Sequence, residues 1–293
     1  MACSSRACWP DHVQYTHGTV PIAVVTFRFD PYAHLFDGVS ILWGTIALVV
    51  VFVAAMVMAG LIARADGLRE DDVIFIAIGI VPGAVIGGRL EDLLLHGDDF
   101  ASGASALLDP SVGGLGLGLA VVGGFLTGTY VASLLEAPVG RWLHLAAIPV
   151  LFALGAGKLT MVLTGTGQGL PSDEPFATAY LGPGPWGSLL PALPSEPSQA
   201  YEGIATMVIL VLLTLALLLG AFKRHDGRLF FVGIGTWAIA RAVVSTTWRD
   251  PAAWGGINAG GLVAVAIAIG CALVVVALTL RSRIASDPQT SPE

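Results

Sequence analysis

Seven long apolar runs constrain the fold of this chain more than any other feature. Each spans about 20 to 25 residues, enough for a helix to cross the roughly 30 Å of hydrocarbon in a bilayer. Of the 293 residues, 55% are hydrophobic and only 12% are charged, whereas about 25% charged is usual in a soluble domain. The sequence therefore predicts an all-α integral membrane protein with seven transmembrane helices, not an unusually apolar soluble enzyme. The runs lie near residues 39–63, 73–95, 113–135, 142–164, 203–222, 229–248 and 258–280.

The positions of lysine and arginine predict which way the helices run. Eight basic residues flank the runs on one side of the predicted membrane, and three lie on the other side. Because cytoplasmic loops carry the excess of basic residues, the side with eight is predicted to be cytoplasmic. This topology puts the N-terminus outside and the C-terminus in the cytoplasm. The eight are Arg64, Arg69, Arg141, Lys223, Arg224, Arg228, Arg281 and Arg283, and the three are Arg6, Arg28 and Arg249.

Outside the apolar runs, the chain divides into terminal segments and one long loop. The sequence predicts an extracytoplasmic segment over 1–35, a transmembrane domain over 36–284 and a cytoplasmic tail over 285–293. The long extracytoplasmic loop, about 165–201, is rich in proline and glycine, which exclude a regular helix. Its aromatic and apolar residues favour a loop that folds back on the membrane surface, and a simple connecting loop is the alternative. We expect no signal peptide, because the apolar stretch at 20–27 is short and lacks a clean cleavage site.

The remaining composition excludes several classes of partner. No cluster of basic residues indicates a nucleic-acid partner. The three cysteines, Cys3, Cys8 and Cys271, form neither a disulfide framework nor a metal-binding pattern. The sequence therefore predicts no cofactor, no metal site and no nucleic-acid partner.

Three basic residues lie inside the predicted spans, where a charge costs about 2.5–3.5 kcal/mol on insertion scales. Arg89, Lys158 and Arg241 each lie about six residues before the outer end of an outward-running span. At 1.5 Å per residue, each is roughly 9 Å below the outer surface. Three helices therefore deliver a cation to one level, which suits the phosphate of a lipid headgroup. The pattern predicts that the three side chains converge on one pocket, a site for an anionic lipid.

Acidic residues lie near the same level and offer partners for these cations. Glu91 and Asp92 follow Arg89, and Glu202 opens the fifth span from the outside. Such pairs lower the free energy of burying a charge. The alternative explanation of the three cations is that they extend toward the membrane surface or form only structural ion pairs.

Five short motifs follow one another along the chain. They are IGGRLEDLLLH (86–96), GGLGLG (113–118), LGAGKL (154–159), EPSQAYEG (196–203) and GIGTWAIAR (233–241). In order and spacing, from about residue 20 to 280, they resemble the bacterial prolipoprotein diacylglyceryl transferase family, and seven spans with an outside N-terminus agree with that family. PSQxYE in this setting is the most specific of the five, whereas the glycine motifs alone are weak.

The resemblance implies a reaction, its partners and a location. Members move the diacylglyceryl group of phosphatidylglycerol, or of a similar anionic phospholipid, onto the lipobox cysteine of a lipoprotein precursor's signal peptide. They lie in the bacterial cytoplasmic (inner) membrane. The resemblance implies that the catalytic residues are Arg241, Glu202 and Tyr201 and that the phospholipid-binding residues are Arg89, Lys158, Arg241, Gln199 and Ser198.

The sequence also departs from the family pattern at positions that carry chemistry. Lys158 replaces the signature arginine, and a lysine is a point charge without the planar fork that grips phosphate in two places. No general base is identified, and His96 is a weak candidate because an exposed loop histidine is the simpler explanation. The alternative function is therefore a catalytically silent homologue that binds anionic lipid. The resemblance also implies asparagine, asparagine and glutamate where this chain has Met161, Thr164 and Thr166. It implies a histidine at Gly118 and at Glu196, and a glutamate at Ser245.

Overall fold

The computed structural model describes residues 24–36, 38–97, 109 and 113–284, and seven helices in these ranges are long and apolar enough to cross a membrane. The seven predicted spans are thereby confirmed, including the glycine-rich third. The predicted tail and most of the predicted N-terminal segment lie outside the described residues. The helices are α1 (Trp43–Ala65), α2 (Asp71–Leu95), α3 (Leu117–Leu134), α4 (Val139–Thr160), α5 (Ser198–Leu218), α6 (Arg228–Val244) and α7 (Ala259–Ile284).

The described residues also contain six short strands, so the all-α description is correct only for the membrane-crossing part. β1 pairs with β4 in parallel, with Val25 opposite Thr178, and β2–β3 and β5–β6 are antiparallel pairs. All six lie outside the helices. Backbone N–H and C=O groups there have no helical hydrogen bonds, and strand pairing supplies their partners. The strands are β1 (Val25–Phe27), β2 (Tyr32–Phe36), β3 (Val39–Leu42), β4 (Thr178–Tyr180), β5 (Ala252–Trp254) and β6 (Ile257–Asn258).

Glycine allows α2 and α3 to pack with their backbones in contact. A Cβ added to Gly87 would lie 2.0 Å from the carbonyl oxygen of Leu119, and one added to Gly83 would lie 2.2 Å from that of Gly123. Small residues at such positions let membrane helices approach closely. This packing fixes the start of α3 against the end of α2, where one part of the candidate site lies.

Helix α6 is the central helix of the bundle. In its most apolar 18-residue window 56% of residues are buried, whereas no other span exceeds 28%. Trp237 and Ala238 on α6 are fully buried and pack in one core with Leu151 of α4 and Leu213 of α5. Arg241, one turn beyond Trp237, is therefore held in the interior of the protein.

Helices α2, α4 and α6 end at the same side of the bundle, which we call the loop face. The predicted long loop packs over this face as a cap. The cap comprises residues 165–197. Tyr180 stacks on Phe27 of β1 with ring centroids 4.8 Å apart, and Trp186 lies 4.9 Å from Tyr180. Burial raises the pKa of Tyr180 to about 12, and its hydroxyl donates to the Val162 carbonyl at 2.9 Å. The segment is thus more than a simple connecting loop.

Two features differ from the predicted bounds of this loop. Helix α5 begins at Ser198, directly after Pro197, so the SQAYE residues form its first turn instead of the end of the loop. The polar first turn hides this start from a search for apolar residues, although proline is common where helices begin. Arg249, which follows the end of α6, links the cap to the bundle: its Nε donates a hydrogen bond to the Gly169 carbonyl at 2.6 Å.

Candidate functional site

The site is built around Glu202, which lies one turn into α5 and bridges two cations. Arg241 on α6 donates from Nη1 to Glu202 Oε1 at 2.7 Å, and Lys158 Nζ on α4 lies 3.1 Å from Oε2. The Glu202 side chain is fully buried, and those of Arg241 and Lys158 are only 5% and 16% exposed. Two of the three predicted cations therefore meet through one carboxylate.

A second buried carboxylate, Glu91 on α2, completes the group. Its Oε1 lies 3.8 Å from Arg241 Nη2, and its Oε2 accepts a hydrogen bond from the backbone N–H of Leu119 at 2.6 Å. Gly116 makes room for it, because a Cβ there would lie 2.4 Å from the Glu91 side chain. We call Glu91, Lys158, Glu202 and Arg241 the charge cluster.

The charge cluster explains how lysine and arginine are accommodated inside a membrane protein. Two cations and two carboxylates give no net formal charge, and each charge has an opposite charge within 3.8 Å. Burial of ions is tolerated when geometry and pairing offset the loss of hydration. The prediction that acids at this depth pair with the cations is confirmed for Glu202 and Glu91.

An aromatic wall covers the two cations, and sequence reasoning missed it. The Trp248 ring centroid lies 4.6 Å from Arg241 Cζ and 5.9 Å from Lys158 Nζ, both within the range of cation–π contact. Trp248 follows the α6 region directly at the loop face. An aromatic residue at a predicted membrane boundary next to a buried cation was the signal that could have identified it.

Three buried polar atoms of the charge cluster have no hydrogen-bond partner among the described residues: Arg241 Nε, Glu91 Oε1 and Glu202 Oε2. Of the two carboxylate oxygens, Glu202 Oε2 lies 3.1 Å from Lys158 Nζ, whereas Glu91 Oε1 lies 3.8 Å from Arg241 Nη2. Most buried polar atoms in proteins are bonded, so unbonded ones call for an explanation. The Arg241 Nε–H can donate a hydrogen bond to a phosphate oxygen, and an unbonded carboxylate oxygen can receive a proton.

Arg89 corrects the expectation that all three cations converge. Its guanidinium donates to the backbone carbonyls of Asp109 at 2.9 Å and Gly114 at 3.4 Å, on the segment that leads into α3. Residues two apart on a helix face different directions, and Glu91 is the one that faces the cluster. Depth along α2 was correct for Arg89, but rotation about α2 turns it toward the segment before α3. Its role in phospholipid binding stays a prediction.

The other predicted site residues on α5 face the cap and the end of α6. Ser198 Oγ lies 2.6 Å from Thr247 Oγ1, and Gln199 Nε2 donates to the Tyr180 hydroxyl at 3.4 Å. The Tyr201 hydroxyl donates to Glu196 Oε2 at 2.5 Å. These contacts tie the first turn of α5, and hence Glu202, to the cap and to the end of α6.

The residues considered as bases or replacements occupy other environments. His96 is half-exposed at the end of α2, with Nδ1 3.1 Å from Asp92 Oδ1. Ser245 is buried, and its hydroxyl donates to the Ala242 carbonyl at 2.7 Å. At Gly118, an added Cβ would lie 3.1 Å from Glu91 Oε2. Glu91 thus occupies the space beside Gly118.

An apolar cavity of about 520 Å³ reaches Gly116, which packs against Glu91 of the charge cluster. It lies between the α2–α3 pair and helices α1 and α4, and it runs from Gly116 near the loop face to Trp142 near the other face. Phe52 and Val85, 56% and 45% exposed, line it on the side of the lipid. Pockets for small ligands commonly measure about 300–1,000 Å³. A cavity of this size next to buried charges suits an amphiphile.

Comparison with known proteins gives consistent matches. A family model described as prolipoprotein diacylglyceryl transferase matches residues 31–277. The chain is similar to three proteins named phosphatidylglycerol–prolipoprotein diacylglyceryl transferase. That of Clostridioides difficile (strain 630) is 21% identical over 254 residues, covering 87% of this chain and 97% of that protein. That of Symbiobacterium thermophilum is 27% identical over 256 residues, covering 86% and 93%. That of Shewanella sp. (strain ANA-3) is 28% identical over 264 residues, covering 84% and 90%. These matches confirm the resemblance inferred from the motifs.

Proposed function

Because the chain belongs to the prolipoprotein diacylglyceryl transferase family, we propose that it transfers the diacylglyceryl group of phosphatidylglycerol to a cysteine thiol of a lipoprotein precursor. The observation that carries this proposal is the position of the charge cluster, which lies beneath the cap and beside an apolar cavity. A phospholipid has the matching shape, with a charged head above two apolar chains.

Arg241 and Lys158 are the proposed ligands of the lipid phosphate. Arg241 Nε is an unbonded buried donor, and Lys158 is the cation of the cluster with the greater exposure. A charge-assisted hydrogen bond to phosphate is about twice as strong as a neutral one, and more so where water is excluded. Glu202 holds both cations in place before the lipid arrives, so that little reorganisation is needed on binding.

The proposed reaction is a displacement at carbon. The thiolate sulfur attacks the glycerol carbon that bears the phosphate, the carbon–oxygen bond breaks, and glycerol phosphate leaves with the bonding electrons. Arg241 and Lys158 stabilise the negative charge that grows on the leaving phosphate. Tyr201, Gln199 and Ser198 orient the mouth of the site through their contacts with the cap, and Arg89 shapes its edge by holding the segment before α3.

The apolar cavity is the proposed binding site of the acyl chains. It begins at Gly116, whose backbone packs against Glu91, so a lipid with its phosphate at the charge cluster has its chains directed into the cavity. The lining residues Phe52 and Val85 face the lipid side. A phospholipid can therefore enter from the membrane without its chains crossing water.

The proposed topology puts the loop face outside the cell and the other face in the cytoplasm of a bacterial inner membrane. The helix ends and short loops of the other face carry Arg64, Arg141 and Arg224, whereas the cap side carries Arg28 and Arg249. The positive-inside rule supports this direction. It presents the charge cluster to the leaflet in which an exported precursor arrives.

The test is transfer to a lipobox peptide in phosphatidylglycerol vesicles that contain the purified protein. Mass spectrometry should detect a peptide heavier by one diacylglyceryl group, and a peptide with serine in place of cysteine should not gain it. Arg241→Ala should reduce the rate at least about 100-fold, as loss of one transition-state donor does elsewhere. Arg281→Ala, at the opposite face, is the matched control and should leave the rate unchanged. Absence of transfer by folded wild-type protein contradicts the proposal.

The neutrality of the charge cluster favours one second candidate, a catalytically silent protein that binds anionic lipid. Two carboxylates already neutralise the two cations, so the site holds less positive charge than the cation count alone suggests. If the protein is silent, lipid binding should depend on Lys158, and the lipobox peptide should gain no diacylglyceryl group at any protein concentration.

A further inference from the structure

The transfer reaction needs a group that accepts the thiol proton, and the charge cluster holds two carboxylates. A thiol has a pKa near 8.5, so a base is needed at neutral pH. Both oxygens of Glu202 lie within 3.1 Å of a cationic nitrogen, which makes that carboxylate a weak proton acceptor. Glu91 Oε1, in contrast, lies 3.8 Å from Arg241 Nη2. Neither Glu91 Oε1 nor Glu202 Oε2 accepts a hydrogen bond from the described residues, so the greater distance to a cation is what makes Glu91 the more available proton acceptor.

The surroundings of Glu91 are built to hold one oxygen and leave the other available. The backbone N–H of Leu119 fixes Oε2 at 2.6 Å, so the carboxylate cannot rotate freely. Gly116 and Gly118 lack the side chains that would fill the space it occupies. Gly116, which packs on this carboxylate, also lines the apolar cavity. With the phosphate and the acyl chains bound as proposed above, the reacting carbon of the lipid lies close to Glu91.

No other described group near the cluster fills this role as well. The resemblance implies a histidine at position 118 and a glutamate at position 245. This chain has glycine at 118, and at 245 it has a serine whose hydroxyl donates a hydrogen bond to the Ala242 carbonyl. His96 is half-exposed and paired with Asp92 at the end of α2. From the sequence alone, Glu91 was predicted only to pair with a buried cation.

We propose that Glu91 is the catalytic base of this chain, supplying from α2 the acid–base group that positions 118 and 245 lack. The inference rests on the proposed transferase function. Glu91 Oε1 takes the proton from the thiol, the sulfur forms its bond to the glycerol carbon, and the carbon–oxygen bond to phosphate breaks. The proton then passes from Glu91 to the released glycerol phosphate, which returns the carboxylate for the next turnover.

The test compares wild type with Glu91→Gln, which keeps the shape and the acceptor for Leu119. Loss of a general base lowers kcat about 10²- to 10⁴-fold near neutral pH. Removing one negative charge leaves Lys158, Arg241 and Glu202 with a net positive charge, so affinity for phosphatidylglycerol vesicles should stay equal or rise. Glu70→Gln, an exposed carboxylate before the other end of α2, is the matched control with wild-type kcat and affinity.

The dependence on pH separates a base from a structural carboxylate. As the pH passes about 8.5, the peptide thiol ionises without help, so the ratio of wild-type to Glu91→Gln rates should fall toward one. The charged groups around Glu91 are Arg241, Lys158 and Glu202, and all three are the same in both proteins. A ratio that stays constant with pH, or equal rates throughout, overturns the inference and leaves the transferase function intact.

Two further outcomes are covered by the same experiment. If wild type transfers nothing, both the function and the inference are overturned. If Glu91→Gln does not fold, Glu91→Ala assayed with sodium formate replaces it, because formate can occupy the vacated space. Restored transfer with formate, but not with chloride at equal ionic strength, is expected. Lack of restoration in folded protein overturns the inference.

Discussion

Replacing Glu202 with glutamine should destabilise the protein more than any other single charge removal at the loop face. Glutamine keeps the shape of the side chain but leaves Arg241 and Lys158 as two neighbouring buried cations without their shared carboxylate. Breaking a buried ion pair by removing one partner costs about 3–5 kcal/mol. The remaining carboxylate, Glu91, lies 3.8 Å from Arg241 and cannot serve both cations.

Charge balance predicts that a second substitution partly restores stability. Wild type has two cations and two carboxylates in the cluster, and Glu202→Gln leaves a net charge of +1. Lys158→Met alone leaves −1, and the two changes together return the cluster to neutrality with the Arg241–Glu91 pair intact. Groups in one ion-pair network commonly couple by about 0.5–3 kcal/mol. The double variant should therefore be about 1–3 kcal/mol more stable than the sum of the single effects.

The assay is unfolding by titration with sodium dodecyl sulfate in mixed micelles, followed by circular dichroism. The four proteins of the cycle are compared at one pH and without added phospholipid, so that ligand binding does not change apparent stability. Glu174→Gln, an exposed carboxylate of the cap, is the control and should stay within about 0.5 kcal/mol of wild type. A small effect of Glu202→Gln, or additive effects of the two substitutions, would refute the reasoning.

Three further predictions concern lipid affinity, helix packing and the cap. If Lys158 binds phosphate, Lys158→Arg should preserve or raise affinity for phosphatidylglycerol vesicles, and Lys158→Met should lower it. Affinity is measured by co-sedimentation with vesicles. Equal affinity of wild type and both variants would contradict this role. Gly87→Ala should cost about 1–3 kcal/mol in the detergent titration, because its Cβ would lie 2.0 Å from a backbone oxygen, whereas Gly60→Ala, which meets open space, should be neutral or slightly stabilising. Tyr180→Phe should cost about 1 kcal/mol through the lost hydrogen bond to Val162. Because the folded-state pKa of Tyr180 is raised from 10.0 to about 12, wild-type stability should also fall as pH rises through that window, and this fall should be smaller in Tyr180→Phe.

The sequence predicts the membrane-crossing part of this fold because bilayer thickness dictates the length of an apolar helix. The start of α5 was misplaced for the same reason. Ser198, Gln199 and Glu202 are polar yet helical, since the cap and the end of α6 supply their partners. A rule based on apolar length does not recognise a helix whose first turn is buried by protein instead of lipid.

Depth along a helix can be counted from sequence, but rotation about its axis cannot. Arg89 and Glu91 lie at nearly one level, and only the packing of α2 on α3 decides that Glu91 faces Arg241. That packing depends on contacts between distant glycines, which no local pattern contains. The partners of Lys158 and Arg241 were predictable as acids at matching depth. The cover provided by Trp248 depends on how the chain turns after α6.

The central claim is that the phosphate of a phospholipid binds beside Arg241 and Lys158, beneath the cap. Solid-state NMR of protein with ¹⁵N-labelled arginine in phosphatidylglycerol vesicles tests it directly, through dipolar coupling to the lipid ³¹P. Hydrogen bonding of about 2.8 Å between nitrogen and oxygen puts phosphorus within about 4 Å of the guanidinium nitrogens. The account predicts a ¹⁵N–³¹P coupling of that range that disappears in Arg241→Lys and persists in Arg281→Lys. A coupling that is absent, or unchanged by Arg241→Lys, would contradict it.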